Sequence, residues 1–312
     1  MPKTKNWHWY TEKSSEYEAH MHAISACYFS GKTKFQDVGI VESPLLGKML
    51  ILDGDTQSSQ ADEYIYHESL VHPAMLMTEK PRNILILGAG EGATVREVLL
   101  HKSVEKVTMV DIDEEVVTLC KKYLPEWSNG AFENPKTKVF YMDAYKYVNE
   151  TTEKYDVIIS DLTEPLDDSP SRKLFTKEFF SKIREKLNPG GSFVLQASTA
   201  DFHNCELHTI IHNTLSKVFK YTSSFASRVP AFDTTWAFVY CSDINDPLTL
   251  SKEEIDKRIS ENIKGNLKYY DGVTHFHIFN TPKYIRKAIG KQTRVIEENE
   301  NIKELCCTGG LL

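Results

Sequence analysis

The chain has 312 residues, 41% hydrophobic and 26% charged, which is ordinary globular composition and excludes a disordered, collagen-like or low-complexity chain. The length fits one large domain or a domain with a smaller companion. The net charge is −7, from 44 acidic and 37 basic residues; it argues against nucleic acid as a partner and permits a cationic small molecule.

Met1 to Tyr10 has no apolar h-region, and no apolar run approaches the roughly 18 residues of a membrane span. The six cysteines form no C-x-x-C pair, so no disulfide framework or zinc ribbon is expected. A soluble cytoplasmic protein is the expectation.

Short β-like runs come first. Phe35–Val41 alternates loosely, and Lys48–Leu52 is apolar and ends at Asp53-Gly54, a strong hairpin-turn dipeptide. Between Ala61 and Met77, apolar residues recur at helical spacing and predict a connecting helix. Strands and helices then alternate. Strands are predicted over 83–87, 106–110, 139–142, 155–160 and 192–196. Helices are predicted over 93–101, 114–123, 144–148, 177–187 and 204–219. Asn188-Pro189-Gly190-Gly191 stops a helix before the fifth strand. Near-continuous apolar strands between helices indicate an α/β fold with a mostly parallel sheet covered on both faces. A further helix is predicted over 252–263, and the tail has no clear pattern.

Ligands of such sheets sit at the carboxyl ends of the strands. Past the first strand comes Gly88-Ala89-Gly90-Glu91-Gly92, a loop that can approach a ligand closely and opens a helix. Past the second comes Asp111, placed to accept from ribose hydroxyls. Asp143-Ala144 follows the third strand and Asp161 the fourth. Each acid alone could be a helix N-cap or a solvated turn. Four strand ends in register point to a nucleoside pocket. Glu91 would repel the phosphates of a dinucleotide and suit a cationic tail. With the Asn-Pro-Gly-Gly turn, it favours a sulfonium nucleoside.

Three segments now carry a resemblance: Leu52-Asp53-Gly54-Asp55-Thr56-Gln57, Asp62-Glu63-Tyr64-Ile65-Tyr66-His67-Glu68, and His72-Pro73-Ala74. So do the run from Gly88 to Val98, Val110-Asp111-Ile112-Asp113, and Asp161-Leu162-Thr163-Glu164-Pro165. Together they are similar to the signature of the polyamine aminopropyltransferases, over about residues 30–245. The resemblance implies a small antiparallel β-domain over 1–60, a connecting helix over 61–80 and a methyltransferase-like (Rossmann-like) catalytic domain over 81–312. It implies a homodimer or homotetramer. It also implies decarboxylated S-adenosylmethionine as co-substrate, with a cationic polyamine as acceptor and no separate cofactor.

The same resemblance aligns Asp161 with the family's catalytic carboxylate. A strand-end carboxylate would take the proton of the attacking amine. Gln36 and Gln57 match glutamines near the donor, although Gln36 reads equally well as an exposed strand residue. Gly88, Gly90, Glu91, Asp111, Asp143 and Ala144 complete the expected donor site. Tyr66, His67, Glu164 and Phe232 fall on the acceptor side. Gln196 either faces the acceptor or satisfies backbone groups. Glu91 would meet the donor's ammonium and repel the extra carboxylate of intact S-adenosylmethionine. Leu162 stands where many putrescine users have Ser, Glu164 where Asp is usual, Asp167-Asp168 in place of a Gly-Pro segment, and Phe232 where Tyr is common. These departures favour a triamine such as spermidine, giving thermospermine or spermine, over putrescine or agmatine. A methyltransferase and an inactive polyamine sensor are the readings from other classes. His20-x-His22 and His275-x-His277 have no carboxylate or cysteine partner at suitable spacing, so no metal site is expected.

Overall fold

The structure is a computed structural model and describes residues 7–13, 17–165 and 170–299. Strands β1 (His8–Lys13) and β2 (Ala19–Ile24) form an antiparallel hairpin. Then β3 (Ala26–Lys32), β4 (Asp37–Ser43), β5 (Gly47–Leu52) and β6 (Asp55–Ser59) form a four-stranded antiparallel sheet in sequence order. Leu52 pairs with Asp55 across the expected turn, where Asp53 and Gly54 take φ of 50° and 93°. Positive φ at both central residues is what a tight right-twisted hairpin demands. Val38, Ile40 and Leu50 of this sheet pack on Val116, Cys120 and Trp127 of the larger unit.

Helix α1 (Glu63–Met77) follows the small sheet and is buried almost all round. Its polar residues therefore need internal partners. Glu68 accepts from the backbone N–H groups of Lys268, Tyr269 and Tyr270, each at 2.8 Å, and so latches the C-terminal segment onto α1.

The alternating region contains β7 (Asn83–Gly88), α2 (Ala93–Leu99), β8 (Lys106–Asp111), α3 (Glu114–Tyr123) and α4 (Pro125–Ser128). It continues with β9 (Thr137–Tyr141), α5 (Ala144–Glu150), β10 (Tyr155–Asp161), α6 (Lys177–Lys186) and β11 (Leu187–Thr199). Then come α7 (Glu206–Ser216), β12 (Tyr221–Val229) and β13 (Thr234–Ser242). The seven strands lie in the order β12-β13-β11-β10-β7-β8-β9, and β13 alone runs against its neighbours. Ile84 and Ile86 enter the core on one face of the sheet, Leu85 and Leu87 the core on the other, all fully buried. Each such side chain contributes about 1.5–3 kcal/mol, which fixes the strand register. Pairing between β10 and β11 shifts after Tyr155, where the Asn-Pro-Gly-Gly turn interrupts it.

Two features were not legible. The β12–β13 pair closes the sheet edge, but Tyr221–Val229 is rich in Ser and Thr and only partly buried, so it lacks an apolar alternation. Past α8 (Lys252–Asn262), which matches the helix expected over 252–263, the C-terminal segment folds into α9 (Gly272–Phe279) and α10 (Lys283–Lys291), for which the sequence showed no clear pattern. Among the described residues, no helix is long and apolar enough to cross a membrane.

Candidate active site

The strand order reverses between β7 and β10, with sequence continuing outward from β7 to β8 on one side and from β10 to β11 on the other. Such a switch point opens a crevice at the carboxyl ends of the strands. Asp161 is the register partner of Gly88 across it. Gly88 has φ +83°, and a Cβ there would sit 2.2 Å from the Asp161 carbonyl oxygen. Only glycine lets the two strand ends close to this distance.

Asp161 is oriented by two donors. Tyr66 Oη donates to Oδ1 at 2.6 Å, and Thr94 Oγ1 donates to Oδ2 at 2.5 Å. Burial and the neighbouring Asp161 push the Tyr66 phenol well above its ordinary value of 10.0, so it stays a donor. Thr94 was missed by sequence reasoning. It lies one residue into α2, and nothing in its local pattern distinguishes it from a helix-opening threonine.

Glu91 lies three residues past Gly88 and is 9% exposed. His67 Nε2 meets its Oε1 at 2.6 Å, and Ser58 Oγ donates to its Oε2. The other ring nitrogen, Nδ1, lies 3.0 Å from Glu63 Oε2, and Arg96 approaches that same oxygen at 2.8 Å. Burial opposes charge on His67, but Glu91 and Glu63 overcome it and raise the imidazole well above 6.5. Burial likewise opposes charge on Glu63, yet His67 and Arg96 hold it at about 2. A protonated imidazole has two donors, and both are engaged here. His67, expected beside the acceptor, has both ring nitrogens taken by Glu91 and Glu63 and so clamps Glu91. Ser58 and Glu63 were not foreseen as its companions.

Asp111 stands at the end of β8, and its Oδ1 accepts from Asp113 N at 2.8 Å. A Cβ on Gly90 would lie 3.1 Å from Asp111 Oδ2, so the glycine leaves that carboxylate room. Burial raises Asp111 to about 6, against the opposing pull of the Asp113 backbone N–H. Gln36 reaches the same corner, donating to Asp113 Oδ2 at 3.0 Å. Asp143 accepts from Tyr145 N and Lys146 N, so one of its oxygens caps α5, and Ala144 is buried beside it.

Glu164 follows β10 on a loop. Burial raises its pKa, Ser198 opposes the rise by hydrogen bonding, and Asp55 adds to it. The Phe232 ring lies 6.0 Å from that of Tyr66. Two expected contacts turn elsewhere. Gln57 Nε2 donates to the backbone of Asp55 at 3.2 Å. Gln196, 3% exposed, donates to Leu162 O and accepts from Ser198 N, which favours its backbone-satisfying reading. Asp167 and Asp168 lie outside the described residues.

The histidine expectations divide. His275 bonds Tyr270 Oη and Pro247 O and serves the core. For His20 and His22 the expectation of no carboxylate partner fails, because Glu12 of β1 lies beside them. A carboxylate eight residues away is brought near by strand pairing, not by local spacing.

A strand-end acid at Asp111, a clamped carboxylate beside the glycine loop and a doubly hydrogen-bonded Asp161 at the switch point are the arrangement of a group transferase acting on a nucleoside donor. Comparisons with known proteins agree. The spermine/spermidine synthase domain matches residues 63–253, and the spermidine synthase tetramerisation domain matches residues 8–60. The polyamine aminopropyltransferase of Sulfurisphaera tokodaii is 49% identical over 93% of this chain and 95% of its own length. That of Sulfolobus acidocaldarius is 47% identical over the same shares. Among solved structures, a spermidine synthase in complex with the transition-state analogue AdoDATO superposes with TM-score 0.86 at 30% identity, over 92% of this chain and 97% of the other. The spermidine synthase of Thermotoga maritima gives 0.84 at 30% identity, over 92% and 96%. The chain belongs to the spermine/spermidine synthase family and is an aminopropyltransferase.

Proposed function

We propose that the enzyme transfers the aminopropyl group of decarboxylated S-adenosylmethionine to a triamine such as spermidine, releasing 5'-methylthioadenosine and giving thermospermine or spermine. The observation that carries the reading is the Asp161 carboxylate, fixed by Tyr66 and Thr94 at the switch point opposite Gly88. The acceptor's lone pair attacks the methylene beside the sulfonium. The C–S bond breaks, its electron pair neutralises the sulfur, and Asp161 takes the proton from the new ammonium. An amine near the ordinary lysine value of about 10.4 is mostly protonated at pH 7, a cost of about 4–5 kcal/mol that a positioned carboxylate must offset. Asp111 receives the ribose hydroxyls, and Glu91 receives the donor's ammonium.

The triamine preference rests on Phe232, which lies 6.0 Å from Tyr66 and 5.1 Å from Trp236 and lines this wall without a hydroxyl. An apolar wall suits a methylene stretch between charged nitrogens. Glu164 supplies a carboxylate beyond Asp161 for the next nitrogen. We place the enzyme in a homodimer or homotetramer, supported by the tetramerisation-domain match over 8–60. Cys27, Cys120, Cys205 and Cys241 are free thiols, which suits a reducing compartment such as the cytoplasm.

The test is a panel of putrescine, agmatine, spermidine and norspermidine with the decarboxylated donor. A kcat/KM at least about tenfold higher for the triamines supports the reading; that ratio is about 1.4 kcal/mol of differential transition-state binding. Preference for putrescine or agmatine overturns the acceptor assignment. S-adenosylhomocysteine formed from the intact donor, or binding without product, overturns aminopropyl transfer.

A further inference from the structure

A second cluster of chemistry lies in the N-terminal hairpin. His20 and His22 stand two apart on β2 and share one face of the strand. Glu12 is the direct cross-strand partner of His20, and Tyr10 of His22. One ligand atom from each of Glu12, His20 and His22 lies within 4.8 Å of the others. The two imidazoles meet edge to face with centroids 4.9 Å apart.

Two observations are unexplained by packing alone. The Nε2 atoms of His20 and His22 are shielded from solvent, and neither has a hydrogen-bond partner among the described residues. His20 Nε2 lies 3.2 Å from Glu12 Oε2 without hydrogen-bond alignment. Leaving a polar atom buried and unpaired costs about 1–3 kcal/mol, so two such nitrogens in one cluster call for a common partner. The second observation is the hairpin itself. A two-stranded sheet is marginal in water, and Glu12 is a polar tie from it to the larger sheet, accepting from Thr56 N and Thr56 Oγ1.

We propose that Glu12, His20 and His22 bind a divalent transition metal, zinc by ligand preference, which cross-links the hairpin and holds it on β6. Two imidazoles and a carboxylate are a borderline-soft donor set that favours zinc over magnesium or calcium. Tetrahedral zinc with bonds of about 2.0–2.2 Å needs ligand atoms roughly 3.3–3.5 Å apart, so closure requires movements of about 1 Å. The metal's role here is structural, because Glu12 is already anchored on Thr56 and no catalytic residue belongs to the cluster.

The test uses the full-length protein stripped with a chelator. Calorimetric titration with Zn²⁺ is expected to give one ion per chain with a Kd below about 1 μM. Co²⁺ is expected to give the visible bands of a tetrahedral site, and Tm to rise with Zn²⁺ concentration, because a ligand of the native state stabilises it by mass action. His20→Ala, His22→Ala and Glu12→Gln should each weaken binding by about 100-fold or more. Absence of stoichiometric zinc binding to the wild-type chain would overturn the proposal without any variant. So would equal affinity and an unchanged cobalt spectrum in all three variants, which would mark adventitious binding elsewhere.

Discussion

His67 Nε2 lies 2.6 Å from Glu91 Oε1, and the residue before it, Tyr66, donates to Asp161 at the same 2.6 Å. Consecutive residues of α1 thus hold the carboxylates of Asp161 and Glu91. The burial of α1 explains why this works: surrounded by protein, its polar side chains have no water to turn to and are fixed by the partners they meet.

Glu91 is part of an ion pair, which sharpens the expectation for donor selection. In Glu91→Gln, the His67 cation faces a neutral amide and attracts a carboxylate. The variant should therefore lose about tenfold or more of its discrimination against intact S-adenosylmethionine, about 1.4 kcal/mol. Competition by the intact donor in wild type and variant measures this. An unchanged ratio would remove Glu91 from the selecting role.

Asp161→Asn should lower kcat by about 100-fold or more while sparing donor affinity, because the amide cannot take the amine's proton. Tyr66→Phe removes one of two donors to that carboxylate and should cost less, about tenfold. Rate and donor-binding assays on both variants separate the roles. A Tyr66→Phe loss confined to KM would make Tyr66 a wall of the acceptor channel and not an orienter of Asp161.

Asp111 carries a pH signature. Its pKa is about 6 in the fold, against an ordinary carboxyl value of 3.8. The folded state holds the proton more tightly, so stability is lost as pH rises from about 4 through about 6. Ribose recognition needs the ionised form. The donor KM should therefore rise as pH falls below about 6, and Asp111→Asn should abolish this rise. The same substitution should stabilise the ligand-free protein at pH 7 by about 1–2 kcal/mol while weakening donor binding. A donor KM flat from about pH 5 to 8 in the wild type would contradict the assignment.

Gly88→Ala tests the closure of the crevice. The added Cβ would meet the Asp161 carbonyl oxygen at 2.2 Å, and φ +83° is unfavourable for alanine. The strand ends must separate, so a loss of about 2–4 kcal/mol in stability is expected, together with most of the activity. Gly190→Ala also sits at positive φ, but its Cβ meets nothing within 4 Å. It should cost only about 1 kcal/mol and leave turnover intact. Thermal melts of the two variants should differ accordingly.

Much of the site was readable because it is local. The glycine loop, Asp111, Asp143 and Asp161 each follow a strand whose apolar run is unmistakable, and sheet topology places strand ends together. The clamp was not readable. Glu63 and His67 share an i,i+4 spacing, but nothing local links them to Ser58, Glu91 or Arg96, whose meeting depends on α1 packing against α2 and on β6 reaching the glycine loop. Gln57 and Gln196 occupy motif positions, and in the fold their side-chain amides donate to nearby backbone carbonyls, a pairing that spacing alone does not reveal.

The amino-acid order by itself determined the α/β alternation, the Asp53-Gly54 hairpin and which carboxylates stand at strand ends. Those follow from burial patterns and backbone preferences that act over a few residues. Tertiary structure alone decided that Tyr66 and Thr94 would share Asp161, that His67 would carry a charge between Glu63 and Glu91, and that Glu12 would face His20 and His22. These contacts join residues tens of positions apart or across a strand pair, and their energies depend on being enclosed together away from water.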